Sequence, residues 1–198
     1  MGFPFFSPLY LENATVKIRC GNLWPKQNIK DILSLQMSKP NFPIGLDSLK
    51  ASLEFTDFVS GQPFEIEKEI VVNTIPLNHP DGATGYRISY QGKSVCYITD
   101  TEHTPGSLDR RLVDFLGGAD LLIYDCTYND ANFFEFKGWG HSTWQEGVRL
   151  ARTADVKKFA IFHHDPASTD DILDRVATEA ETLLPNSFVA TEGLSISL

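Results

Sequence analysis

Three of the five histidines of this 198-residue chain fall within GWGHSTWQEGVRLARTADVKKFAIFHHDP, residues 138–166: His141, His163 and His164. A fourth, His79, closes the segment VVNTIPLNH, while Asp100 closes SVCYITD and Asp125 closes DLLIYD. Imidazole and carboxylate are the ligands of zinc, and of manganese or iron in oxygen-richer sites. A carboxylate can bridge two cations, which a single imidazole nitrogen cannot. Ions held this way lower the pKa of a shared water and stabilise charge on a phosphoryl or acyl oxygen. His141 stands in a loop, apart from any strand end. That place suits a proton donor to a leaving group, with Asp125 as its orienting carboxylate.

The elements that must position these residues can be read from the pattern. ATVKIRC (14–20) reads as a strand and QNIKDILSLQMS (27–38) as a short helix stopped by Pro40 and Pro43. SLEFTDF (52–58) alternates in the manner of a half-buried antiparallel strand. EIVVNTIPL, GYRISYQ and SVCYITD follow as strands, with QGK as the turn between the last two. The rhythm then turns to α/β: a helix over 107–116 before DLLIYD, a helix from Thr143 before KFAIFH, and a helix over 170–184 before the strand FVATEGLSISL. Thr143 with Glu146 forms a capping-box pattern, with Ser142 and Gln145 as the alternative, and Trp144, Val148 and Ala151 share one helical face. Four strands therefore finish with a titratable side chain: His79, Asp100, Asp125 and His163. In open α/β sheets ligands bind beyond the carboxyl ends of strands, so these four should converge on one edge. Each alone has a structural explanation, as a turn residue or a core histidine; together they point to a site.

Bulk properties bound the rest. A net charge of −9 argues against non-specific affinity for nucleic acid or an anionic membrane. A small anionic substrate held through a bound metal stays compatible with it. Cys20, Cys96 and Cys126 are widely spaced and form no C-x-x-C pair, the pattern of free buried thiols in a reducing, cytoplasmic compartment. No apolar run approaches the roughly 18 residues that span a bilayer, and the first ten residues lack the basic start of a signal peptide.

In order, LNHPDGATGYRI, YITDTEH, LLIYDCTY, GHSTWQE and FAIFHHDP resemble the motifs of the metallo-β-lactamase-fold hydrolases, in the branch of tRNase Z and small phosphodiesterases. The resemblance covers residues 70–198, about two thirds of the chain. It implies an α/β fold, an αβ/βα sandwich, as a single domain over 1–198 whose residues 1–50 are an irregular segment. It implies His79, Asp100 and His163 as metal ligands, with Asp100 bridging. His141 then assists leaving-group departure, and Asp125 stands where the family has a glutamate. His164 is the rival of His163, although the strand register favours His163. His103, followed by Thr104 and Pro105, reads as a surface loop residue.

Such relatives open with an H-x-H-x-D-H motif that supplies most of the ligands, and this sequence has none. In them a segment like GFPFF follows that motif closely, and here GFPFF begins at Gly2. The expectation is an N-terminally truncated member, with Met1 an internal methionine read as a start. The two zinc or manganese ions of the intact family site would be reduced to one or none. The function implied is metal-dependent hydrolysis of a phosphodiester; the alternative is an inactive fragment or pseudoenzyme, completed by or binding to another chain. Three partner expectations go with it. The substrate is small and anionic, nucleic acid is disfavoured because the short 79–100 interval leaves no room for a tRNA-gripping arm, and an exposed sheet edge would pair with a second copy.

Overall fold

The alternating stretches near the start of the chain pair with each other. Strands β1 (Thr15–Cys20) and β2 (Ser52–Asp57) lie side by side, with Thr15 opposite Ser52 and Cys20 opposite Asp57. They run parallel, which corrects the antiparallel reading of SLEFTDF. Alternation reports which face is buried and carries no information on strand direction; a long connection between the two permits the parallel pairing. Helix α1 (Ile29–Gln36) lies in that connection, opened by Asn28, whose side chain accepts from the Asp31 amide at 2.9 Å. This belongs to the first of two compact units, Met1–Ser60 and Gly61–Leu198. The computed structural model describes residues 2–23 and 25–198, so Met1, on which the expectation about the start rests, lies outside the described residues.

The second unit is built on a seven-stranded sheet: β3 (Phe64–Glu67), β4 (Ile70–Leu77), β5 (Ala83–Tyr90), β6 (Lys93–Ile98), β7 (Leu121–Asp125), β8 (Phe159–Phe162) and β9 (Ser187–Val189), paired in chain order. The first three pairings are antiparallel and the last three parallel. Strands β4, β6, β7 and β8 consequently all run the same way. Helices α2 (Arg110–Leu116), α3 (Trp144–Thr153) and α4 (Asp170–Leu183) close the crossovers. Leu112, Leu116, Val148, Ala151 and Ala180 from these helices share one core with Cys96, Ile98, Leu122, Tyr124, Phe159 and Ile161 from the sheet. Alternate residues on β6 show the sidedness: Cys96 and Ile98 are fully buried, whereas Tyr97 between them is exposed.

Two boundaries differ from the sequence reading. Helix α2 starts three residues late because Asp109 caps it, accepting from the Arg111 amide at 2.9 Å. The predicted strand over 188–198 shrinks to Ser187–Val189, followed by an exposed tail. Among the described residues no helix is long and apolar enough to cross a membrane. All three cysteines are free; Cys96 and Cys126 are buried, Cys20 only half so. Burial pushes the Cys96 thiol up to about 12, which keeps it inert.

Candidate functional site

Because β4, β6, β7 and β8 share a direction, their carboxyl ends meet at one edge. His79 lies two residues past β4 and Asp100 two past β6, Asp125 ends β7, and His163 follows β8. The centre of the arrangement is Asp125, which is 0% exposed. Its Oδ2 accepts from His141 Nδ1 at 3.0 Å and from the Thr101 amide at 3.3 Å. Its Oδ1 accepts from the amides of Thr127 and Ser142, both at 3.3 Å. A carboxylate is an acceptor only, so His141 carries its proton on Nδ1 and leaves Nε2 free.

Thr127 sets the other imidazole. Its Oγ1 lies 2.9 Å from Asp125 Oδ1, 2.8 Å from the His163 carbonyl and 3.1 Å from His163 Nδ1. The first two partners are pure acceptors, so the one hydroxyl proton goes to them. His163 Nδ1 must then donate, and its Nε2 keeps a lone pair. That Nε2 stands 3.5 Å from Asp100 Oδ1. Asp100 and His163 both occupy the left-handed backbone region, at φ +58° and +59°. Non-glycine residues there cost about 1 kcal/mol or more. Both are aimed into the cluster at that cost.

The segment His141–Ser142–Thr143 is placed by the start of α3. Thr143 Oγ1 accepts from the Glu146 amide at 3.1 Å, as the capping pattern predicts, and donates to Asp130 Oδ1 at 2.7 Å. Glu146 does not close the box; its carboxylate takes Arg149 Nε at 2.7 Å. Ser142, fully buried, has its Oγ 2.9 Å from Tyr124 Oη and 2.8 Å from His103 Nδ1. This corrects the reading of His103 as a surface loop residue. It is half-buried, packed on Phe133 with ring centroids 4.2 Å apart, and burial holds its pKa below the usual histidine range.

Asp100, His141 and His163 each offer one ligand atom, all within 4.8 Å of one another. Atoms bound around one ion at ~2 Å sit roughly 3–4 Å apart, so this donor set fits a divalent cation after a small contraction. His79 stands outside that trio. Its ring lies 6.1 Å from that of His141, and its Nδ1 is buried without a hydrogen-bond partner. It presses on Gly140, where a Cβ would meet His79 Cδ2 at 2.3 Å and where φ is +87°; only glycine fits. His164 turns away, toward the carbonyl of Ala190 at 3.3 Å.

Sequence reasoning missed Thr127 and Glu102. The Glu102 Oε2 accepts from the amides of Gly138 at 2.7 Å and Gly140 at 3.1 Å. The spacing D-C-T after β7 was the only available hint of Thr127; nothing local marks Glu102. A cavity of about 580 Å³ opens beside the cluster, lined by Asn78, Glu102, His103, Arg111, Tyr124 and Glu146 among others. None of the five expected site residues lines it.

Residues 30–164 match the family model described as a beta-lactamase superfamily domain, more than half of the chain and across both units. The chain belongs to that superfamily. A superfamily relative from Haloferax volcanii, named ribonuclease Z, is 31% identical over 107 residues, covering 54% of this chain and 32% of that protein. The ribonuclease Z of Bacteroides fragilis is 28% identical over 132 residues, 67% of this chain and 38% of the relative. The chain thus spans about a third of the length of the curated relatives it matches. The crystal structure of the metallo-beta-lactamase fold protein YhfI from Bacillus subtilis superposes with a TM-score of 0.66 at 18% identity, over 91% of this chain and 64% of that one. The fold is therefore of the metallo-β-lactamase type, as the ordered motifs imply. The expectation against nucleic acid is overturned, because relatives of this superfamily chain are ribonucleases by name. Net charge averages over a whole surface, whereas a bound cation sets the field where a phosphate docks.

Proposed function

We propose that this chain serves a metal-dependent hydrolase that cleaves phosphodiester bonds of RNA. The observation that carries the reading is the buried Asp125 carboxylate holding His141 by Nδ1 beside the Asp100–His163 pair. The names of the ribonuclease Z relatives support RNA as the substrate.

Asp100 and His163 would hold the metal in this proposal, with His79, outside the compact trio but with a buried Nδ1 lacking a hydrogen-bond partner, as a third ligand. A zinc- or manganese-class ion bound there would supply a water of lowered pKa and positive charge against the phosphoryl oxygens. Thr127 keeps the His163 proton on Nδ1 and thereby Nε2 available. With a second proton taken up on Nε2, His141 gives that proton to the departing oxygen while its Nδ1 proton stays hydrogen-bonded to Asp125. Asp125 holds the ring at the required angle and offsets its positive charge. Ser142, fixed between Tyr124 and His103, prevents the His141 loop from sliding.

The test combines metal content with turnover. The protein supplied with Zn²⁺ or Mn²⁺ should cleave short RNA and a chromogenic diester. His141→Ala should keep its metal and lose roughly 10²- to 10⁴-fold in rate. Loss of metal along with rate would reassign His141 to the ligand set. A metal-loaded chain that cleaves neither diester would end the hydrolase reading.

A further inference from the structure

The loop between β7 and α3 carries a ladder of aromatic rings that leads outward from His141. Tyr128 is buried, with its ring 6.1 Å from that of His141. It stacks face to face on Phe136, centroids 4.4 Å apart and planes 6° off parallel. Phe136 in turn meets Trp139 edge-on at 5.7 Å. The outer rung, Trp139, is 64% exposed, and Lys137 beside it is exposed as well.

The backbone around this exposed indole is pinned. Gly138 and Gly140 flank it at φ +91° and +87°, and both amides donate to the Glu102 carboxylate. The Trp139 amide donates to the Phe136 carbonyl at 3.1 Å. Glu102 is itself tied to Asn78, through Asn78 Nδ2 to its carbonyl at 2.8 Å and its amide to the Asn78 carbonyl at 2.7 Å. Exposed loop tips usually carry small polar residues that tolerate motion. A large apolar ring fixed in water gains only when something flat covers it.

We propose that Trp139, backed by Phe136, is a stacking platform for a nucleobase near the cleaved bond, with Lys137 against a backbone phosphate. The proposal rests on the RNA-hydrolase reading. Every base has a π-face, and an aromatic side chain accepts it with little regard to sequence. Trp139 is two residues from the proton donor, at most about 7 Å of chain. The base it holds therefore belongs to a nucleotide close to the scissile phosphate.

The experiment measures binding of a phosphorothioate-linked tetrauridylate, and of the same strand with one abasic position, by fluorescence anisotropy with Zn²⁺ present. Trp139→Ala should weaken the base-bearing strand about tenfold. Trp139→Phe should restore most of that, and the abasic strand should bind wild type and Trp139→Ala alike. An unchanged affinity, or an equal loss for both strands, overturns the platform. Cleavage of RNA by the wild type, measured in parallel, judges the hydrolase reading separately. If the wild type neither binds nor cleaves RNA, both readings fall.

Discussion

Strand β7 has an aspartate at each end, and the two have opposite fates. Asp120, just before the strand, accepts from the Ser94 amide at 2.8 Å, Lys157 Nζ at 2.9 Å and Lys93 Nζ at 3.4 Å. The Lys157 ammonium and the Ser94 amide hold its carboxyl at about 2. Asp125, at the far end, is wholly buried, and among the described residues its ion-pair partners are the imidazoles of His141 and His163. An ammonium neutralises a carboxylate permanently. An imidazole does so only while it is protonated, and it can release that proton. One end of the strand is thus electrostatically finished, while the other retains negative charge that a cation or a proton transfer can use.

Three substitutions would break or sharpen this contrast. Asp125→Asn turns an acceptor into a partial donor amid five donor groups, and frees the tautomer of His141. Hydrolysis should fall about 10²- to 10⁴-fold, with roughly 1–3 kcal/mol of stability lost from mismatched buried polar atoms. Steady-state kinetics and urea unfolding read the two effects; activity retained within tenfold would make Asp125 a structural carboxylate like Asp120. Thr127→Val, which removes the acceptor of His163 Nδ1, should weaken metal binding by roughly 10- to 100-fold. Calorimetric titration checks this, and unchanged affinity would mean that something else sets the His163 proton.

The smallest effect belongs to Asp120→Asn. The folded carboxyl titrates at about 2, below its ordinary 3.8, so its stabilisation is complete above about pH 4 and disappears as pH falls through 2. Asp120→Asn should flatten that acid limb in urea midpoints measured against pH, and leave hydrolysis at neutral pH alone. A steep acid limb in the variant would assign it to other carboxylates.

The sequence distinguishes the two aspartates only through strand direction. DLLIYD is symmetric in residue type, but ligands gather at carboxyl ends, which singles out Asp125. Strands β4, β6, β7 and β8 were legible because each apolar run stops at a polar residue. Strand β3, FEIE, was not, being short and largely exposed at the sheet edge. The direction of β2 was misread because burial alternates identically in parallel and antiparallel pairs. His103 was misjudged because its partners lie far along the chain, Phe133 at 30 residues and Ser142 at 39. Glu102 was invisible for the same reason. Long-range hydrogen bonds to backbone amides leave no local pattern, and these decide how the His141 loop is held.

The left-handed backbone at Asp100 and His163 places a permanent tension between two kinds of fitness. Glycine at either position would relax the chain and remove a side chain the cluster needs. A lineage selected only for persistence of the fold would drift toward the relaxed residue; one selected for chemistry has to defend both positions in every generation. At both positions the residue that relaxes the main chain and the residue that serves the cluster exclude each other.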